Sequence, residues 1–169
     1  MKTQVLIIMG SDSDLPVMEG AEEMLKRLQI SYEITIASAH RTPERAIRLA
    51  SEAEKKGFEV IIAGAGMAAH LAGVLAAHTI IPVIGVPIAS SSLNGMDSLF
   101  STVQMPPGIP VATVGINAAQ NAGILAAQMI ALYDERAAAA LKKHKEGLKK
   151  KIEQANEELS KIKYTHKVG

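Results

Sequence analysis

The chain has no cysteine and no tryptophan, and aromatic residues make up only 3% of its 169 residues. Without cysteine there is no disulfide, no thiolate metal site and no cysteine nucleophile. With so few aromatic rings there is little on which bases could stack, so no nucleic-acid-binding surface is expected. Charge of one sign is lacking too. The formal net charge is +1, and the lysines bunch toward the C-terminal end instead of forming a broad basic face. No apolar run approaches the ~20 residues of a membrane-spanning helix. The first apolar stretch is too short for a secretory signal and reads as a strand, so a cytoplasmic protein is expected.

What is present is the composition of a packed domain: 48% hydrophobic and 21% charged residues. That is enough to bury a core in a single unit. Residues 4–9 read as a strand, unbroken in its apolar character after Gln4, as in a parallel strand covered on both faces. It stops at Gly10-Ser11-Asp12-Ser13-Asp14. A helix follows with Met18, Ala21, Leu25 and Leu28 on one face, capped by Asp12 or Ser13. The free N–H groups of its first turn, with the hydroxyls of Ser11 and Ser13, are suited to an anion. Asp14 can accept hydrogen bonds from sugar hydroxyls. The loop is too short for a Walker A motif and lacks its lysine.

A second strand, 32–37, leads to Ser38-Ala39-His40-Arg41-Thr42-Pro43. His40 can exchange a proton near neutral pH, and Arg41 can grip a phosphate or carboxylate with two parallel hydrogen bonds. Pro43 suits the first turn of a helix over 43–56, with Ala46, Ile47, Leu49, Ala50 and Ala53 inward and Gly57 as its stop. A third strand, 59–63, runs into Gly64-Ala65-Gly66. The pattern imitates a dinucleotide fingerprint, but no acidic residue follows about twenty positions on to hold a ribose. The glycines offer close backbone approach to a small ligand instead. His70 falls on a small-residue helix expected over 67–77 and His78 at its end, where spacing alone reads them as packing or interface residues.

A fourth strand is expected over 83–86, then a polar loop and a short helix over 96–103. A rigid Pro-rich loop leads to a fifth strand over 111–116. Asn117 is expected to cap a last core helix through Asn121, Ile124, Leu125, Gln128, Met129 and Leu132. Residues 134–163 are helical but Lys-rich. Their narrow apolar stripe of Leu141, Leu148, Ile152, Leu159 and Ile162 points to an arm laid on another subunit.

Five strands alternating with helices give a three-layer α/β/α domain with a parallel sheet. Domain bounds of 1–133 are expected, with 134–169 as a helical extension packing on a neighbouring subunit. Turns after the first three strands emerge at one sheet edge. Ser11, Asp14, His40, Arg41 and the Gly64-Ala65-Gly66 backbone should therefore converge. Together they describe a site for a sugar phosphate or ribonucleotide.

These same stretches resemble the bacterial PurE family, the N5-carboxyaminoimidazole ribonucleotide mutases of purine biosynthesis. The likeness rests on the two motifs above, on Ala63-Gly64-Ala65-Gly66 with Ala68-Ala69-His70-Leu71, and on Asp97-Ser98-Leu99 with Gln104-Met105-Pro106. It implies a flavodoxin-like fold and a homo-octamer with shared active sites, and no metal or organic cofactor. It implies transfer of a carboxylate from the exocyclic amine of the imidazole ribonucleotide to ring carbon four. By position, Ser11 and Arg41 match phosphate-binding residues, with Ser13 assisting. Asp14 matches the ribose ligand and His40 the catalytic histidine. Ser38 and the stretch holding Gly64, Ala65, Gly66, His70 and Leu71 line the base and carboxylate pocket. The family usually has Gly where Met67 stands and Pro where Ala72 stands.

Three other readings stay open on sequence. One is an aminoimidazole ribonucleotide carboxylase taking free carbon dioxide. The second is a receiver-like module, which would need an Asp where Ala63 sits. The third is a nucleotide-binding subunit in which His40 is idle.

Overall fold

Val5–Met9 (β1) is a strand with every residue buried. A backbone so placed must find its hydrogen bonds on both sides, and it does. β1 pairs in parallel with Tyr32–Ile36 (β2), Val5 opposite Tyr32, and with Val60–Gly66 (β3), Val5 opposite Val60. Val83–Ile88 (β4) adds to β3, and Ala112–Thr113 (β5) to β4. The computed structural model describes residues 3–162 and shows a five-stranded parallel sheet in the order β2-β1-β3-β4-β5. The chain steps from β1 to one side for β2 and to the other for β3, so the strand order reverses at the β1/β3 boundary.

Alternation along β1 divides the core in two. Val5, Ile7 and Met9 pack with Leu15–Arg27 (α1) and Ala119–Ile130 (α5), while Leu6 and Ile8 pack with Pro43–Lys56 (α2) and Leu71–Ala76 (α3). Met96–Val103 (α4) covers β4 on the α3 side, where a Cβ on Gly85 would collide with Thr102. The expected α/β/α layering is what the chain adopts.

α2 has the expected bounds: Pro43 opens it, and Gly57, at φ 89, closes it in a left-handed turn. Other elements differ. The buried face of α5 is Ala119, Ala122, Gly123, Ala126, Ala127 and Ile130, with the expected Ile124, Leu125 and Met129 half-buried against the same core and Asn121, Gln128 and Leu132 exposed. The carbonyl of Ala21 on α1 lies 3.0 Å from where a Cβ of Gly123 would stand. Small residues win this face because they let the two helix backbones approach. β5 is two residues long, and Asn117 caps nothing. At φ 57 it donates its N–H to the carbonyl of Pro87 at 2.8 Å and accepts from the N–H of Ala89 at 2.9 Å. It thus holds the end of β4 after β5 has stopped.

Glu135–Ser160 (α6) is a single long helix capped by the Asp134 carboxylate. Its first turns are not a free arm: Ala137, Leu141 and His144 are buried, the first two in the cluster that includes α5. Beyond them Leu148 and Ile152 are 52% and 63% exposed. Residues 1–2 and 163–169 of the two expected domains lie outside the described residues.

Two glycines test this packing. Gly85→Ala should cost about 1–3 kcal/mol, because Thr102 and the Val111 side chain at 3.0 Å leave a methyl no room. Gly147→Ala, in the interior of α6 with nothing within 4 Å, should gain about 0.5–1 kcal/mol. Urea unfolding midpoints at one fixed protein concentration check both, and equal shifts in one direction would contradict the packing described.

Candidate active site

Four strand ends meet over a cavity of about 510 Å³, a size suited to a small molecule. β1 contributes Gly10, Ser11, Ser13 and Asp14, and the turn after β2 contributes Ser38, His40 and Arg41. β3 contributes Ala65 and Gly66, followed by Met67, Ala68 and Leu71. The end of β4 contributes Ile88, Ala89 and Ser90, which sequence reasoning missed. β4 is the immediate neighbour of β3, and that adjacency was the available signal.

The first turn is built by local hydrogen bonding. Ser11 is extended at φ -152 and caps a single 3-10 turn, Asp12–Asp14, which runs into α1. Its N–H donates to the Asp14 carboxylate at 3.0 Å, and its Oγ accepts from the Ser13 N–H at 3.4 Å. The cap is therefore Ser11, not Asp12 or Ser13 as expected. Asp12 also serves the turn. Its carboxylate accepts from the Ser11 hydroxyl at 2.9 Å and the Ser13 N–H at 3.1 Å. These bonds, the Ser11 hydroxyl foremost, hold its carboxyl below the ordinary value. Asp14 goes the other way. It is only 8% exposed, and burial pushes its carboxyl up against the opposing pull of the Ser11 and Gly10 N–H groups and Arg41.

The second turn is tied by Ser38 and Thr42. Thr42 Oγ1 accepts from the Ser38 N–H at 2.9 Å, and Ser38 Oγ accepts from the Arg41 N–H at 3.1 Å. Thr42 thus locks the turn and makes no side-chain cap on α2. The lock delivers His40 and Arg41, both exposed, to the cavity.

The third wall departs most from expectation. Gly64, Ala65 and Gly66 belong to β3 and not to a loop. β3 outruns β1 by two residues and pairs Ala65 and Gly66 with Pro87 and Ile88. Gly64 does not line the cavity; a Cβ there would collide with buried Met18. No helix starts at 67. The chain bends through Met67, at φ 55, and α3 begins at Leu71 with His70 as its N-cap residue. A left-handed backbone at a residue as large as Met costs roughly 1–2 kcal/mol.

That bend turns His70 toward His40. Nε2 of His40 and Nδ1 of His70 are 2.7 Å apart, with ring centroids 4.8 Å apart and planes at 72°. One ring donates and the other accepts, so two imidazoles share a proton beside the cavity. His70 itself is not a cavity-lining residue, but it touches the one that is. His78 is elsewhere, bonded to the carbonyl of Val74.

The arrangement can hold an anion between the Ser11 turn and Arg41, present a carboxylate to a diol, and move a proton through His40. The wall of Ala65, Gly66, Ala68 and Leu71 facing these groups offers no charge.

Comparison with known proteins gives this chemistry its context. Residues 4–151 match the family described as AIRC, AIR carboxylase. An N5-carboxyaminoimidazole ribonucleotide mutase of Thermotoga maritima is 56% identical over 161 residues, 95% of this chain and 94% of that one. A protein of the same name from Pyrococcus abyssi is 59% identical over 147 residues, 87% of this chain and 84% of its own. A crystal structure of Treponema denticola PurE is similar with a TM-score of 0.84 and 33% identity, covering 92% of this chain and 98% of that one.

Asp14 gives a pH test. Its folded-state carboxyl is raised above the unfolded value, so its contribution to stability is present below the unfolded value and is lost as pH rises through the folded one. Asp14→Asn should therefore gain on the parent as pH climbs through the mildly acidic range and hold that gain at neutrality. Tm differences measured from pH 3.5 upward check this; a gain that shrinks with rising pH would contradict it.

Proposed function

We propose, from the premise that the chain belongs to the AIR carboxylase family, that it is a mutase acting on N5-carboxyaminoimidazole ribonucleotide. It moves the carboxylate to ring carbon four. The observation that carries this reading is His40 standing in one cavity with an anion-suited turn, an arginine, a buried carboxylate and an uncharged wall.

Each group has a part. The Ser11 and Ser13 hydroxyls and Arg41 hold the phosphate, Arg41 through a forked hydrogen bond. Asp14 accepts from the ribose hydroxyls. The imidazole base lies between His40 and the stretch from Ala65 to Leu71, with Ser38 shaping the turn beside it. Gly64 acts from beneath by letting β3 pack on Met18.

Protons balance within the site. Protonated His40 gives a proton to the exocyclic nitrogen as its bond to the carboxylate carbon breaks, leaving the amine and carbon dioxide. Ring carbon four then attacks carbon dioxide, and the hydrogen it carried goes to neutral His40. One imidazole thus serves as acid and then base, a task open to a ring with one nitrogen that donates a proton and one that accepts it. With Nε2 engaged by His70, Nδ1 is the other proton-carrying position of His40. His70 orients the ring and shares its proton. These steps call for no organic cofactor or metal ion.

The protein works as a homo-oligomer, an octamer with sites completed by neighbouring subunits, in the cytoplasm. Supporting this are the exposed Leu148 and Ile152 on α6 and exposed Phe100 on α4. Among the described residues no helix is long and apolar enough to cross a membrane.

N5-carboxylated substrate should turn into the carbon-four acid with neither nucleoside triphosphate nor bicarbonate added. His40→Asn should lower kcat about 10²–10⁴-fold while product affinity stays within a few-fold. A requirement for bicarbonate would point to a carboxylase, and full turnover by the variant to an idle histidine. Leu148→Glu with Ile152→Glu should lower the mass seen by analytical ultracentrifugation. An unchanged mass would remove α6 from the subunit contacts.

A further inference from the structure

Among the described residues that line the β3 and β4 side of the cavity, Ser90 alone carries a hydroxyl; around it are Ala65, Gly66, Ala68, Leu71 and Ile88. The backbone just before it is pinned from two sides. The N–H of Ala89 donates to Asn117 Oδ1 at 2.9 Å, and the carbonyl of Ile88 accepts from the Ser98 hydroxyl at 2.9 Å. Ser98 is fully buried in the first turn of α4, and Asp97 immediately precedes it. Asp97 is thereby brought to Ser90, whose hydroxyl donates to Asp97 Oδ2 at 3.3 Å.

That bond decides what Ser90 can offer a ligand. A hydroxyl has one proton and two lone pairs, and a carboxylate can only accept. With its proton turned to Asp97, Ser90 keeps lone pairs for the cavity and acts there as an acceptor. Asp97 carries a second sign. Its Oδ1 is buried and has no hydrogen-bond partner. An orphaned buried acceptor is costly in the empty protein and calls for an explanation. A carboxylate with accepting capacity to spare can draw the Ser90 proton closer when Ser90 is itself drawn upon, because linked hydrogen bonds strengthen one another.

The reaction proposed above, on which this inference rests, supplies the donor. The base bears an exocyclic nitrogen that carries one hydrogen while carboxylated and two once the carboxylate has left. When ring carbon four attacks carbon dioxide, the electron pair comes from this nitrogen through the ring. The carbon–nitrogen bond becomes partly double, the nitrogen turns positive, and its N–H becomes a stronger donor. The charge is discharged when carbon four gives its hydrogen to His40. An acceptor backed by a carboxylate holds that N–H most strongly while the charge lasts, which favours the transition state over the bound substrate.

We infer that Ser90 accepts a hydrogen bond from the exocyclic nitrogen of the aminoimidazole, and that Asp97 is a positioning residue that fixes Ser90 as an acceptor. The pair reads the amine of the base, on a wall whose other side chains cannot, and steadies the nitrogen while carbon four reacts.

Two nucleotides test this by titration calorimetry on the full-chain protein: the carbon-four acid, 4-carboxy-5-aminoimidazole ribonucleotide, and 4-carboxyimidazole ribonucleotide, which lacks the amine. The parent should bind the amine-bearing acid about 3–10-fold more tightly, the worth of one hydrogen bond. Ser90→Ala should abolish this preference while binding the ligand without the amine as the parent does, which also shows that the site is still folded. Asp97→Ala, which deletes an oxygen that had no partner, should weaken the preference in the same way. The double variant should lose no more than Ser90→Ala alone, since Asp97 acts through Ser90. In turnover of the N5-carboxylated substrate, kcat should fall in Ser90→Ala by at least the factor seen in binding. A parent without preference for the amine, a Ser90→Ala variant that keeps it, or an unchanged kcat would overturn the inference and leave the mutase reading standing. Additive losses in the double variant would overturn the part given to Asp97. A parent that binds neither nucleotide would overturn the mutase reading, and the inference with it.

Discussion

β1 is hydrogen-bonded on both flanks and buried on both faces, and this constraint sets everything else. A strand in that position has no freedom of register: slipping it by one residue would send Val5, Ile7 and Met9 to the wrong layer. With β1 fixed, the chain leaves β1 toward the α1 face of the sheet and leaves β2 and β3 toward the α2 and α3 face, so a crevice opens at the carboxyl ends between them. The cavity is that crevice. β3 and β4 outrun β1 and make its far wall. The first turn fills its near side with N–H groups and hydroxyls held in place by their own hydrogen bonds.

Polarity is then distributed by strand. The β1 and β2 ends supply charge, and the β3 and β4 ends supply small or apolar side chains. A ribonucleotide has the same division, with a dianionic phosphate, a diol, and a flat base whose reacting edge must be kept from water. His40 and His70 sit at the join. The two rings are brought together by different devices: a turn locked by Ser38 and Thr42, and a bend through a left-handed Met67. Desolvation raises the Asp14 carboxyl, yet the Ser11 and Gly10 N–H groups and Arg41 oppose it. The buried carboxylate is thus poised to accept hydrogen bonds from a ligand.

Much of this was legible in the sequence because the signals were local and strong. The apolar run of β1, Pro43 and Gly57 at the ends of α2, and three turns at the same edge of a parallel sheet all act through neighbouring residues. What could not be read depended on distant partners. The contact between His40 and His70 spans thirty positions, and the small residues between 67 and 77 imitate a helix that begins only at Leu71. β5 has a strand-like sequence over six residues but pairs through two, because Asn117 takes over the end of β4. The inner face of α5 was read in part: Ile124, Leu125 and Met129 do pack on the core, but the closest approach to α1 is made by alanine and glycine, which carry little hydrophobic signal. The Ser90 end of β4 looked like an ordinary polar loop until the sheet order put it beside β3.

The most direct examination of a single nucleotide site at the reversal of strand order is a crystal structure of the full-length oligomer soaked with the carbon-four acid. The phosphate is predicted against Ser11, Ser13 and Arg41, the ribose hydroxyls on Asp14, and ring carbon four within about 3.5 Å of the His40 imidazole. Density for the nucleotide on another face, or with its phosphate on the Ala65 to Leu71 side and its base out of reach of His40, would contradict it.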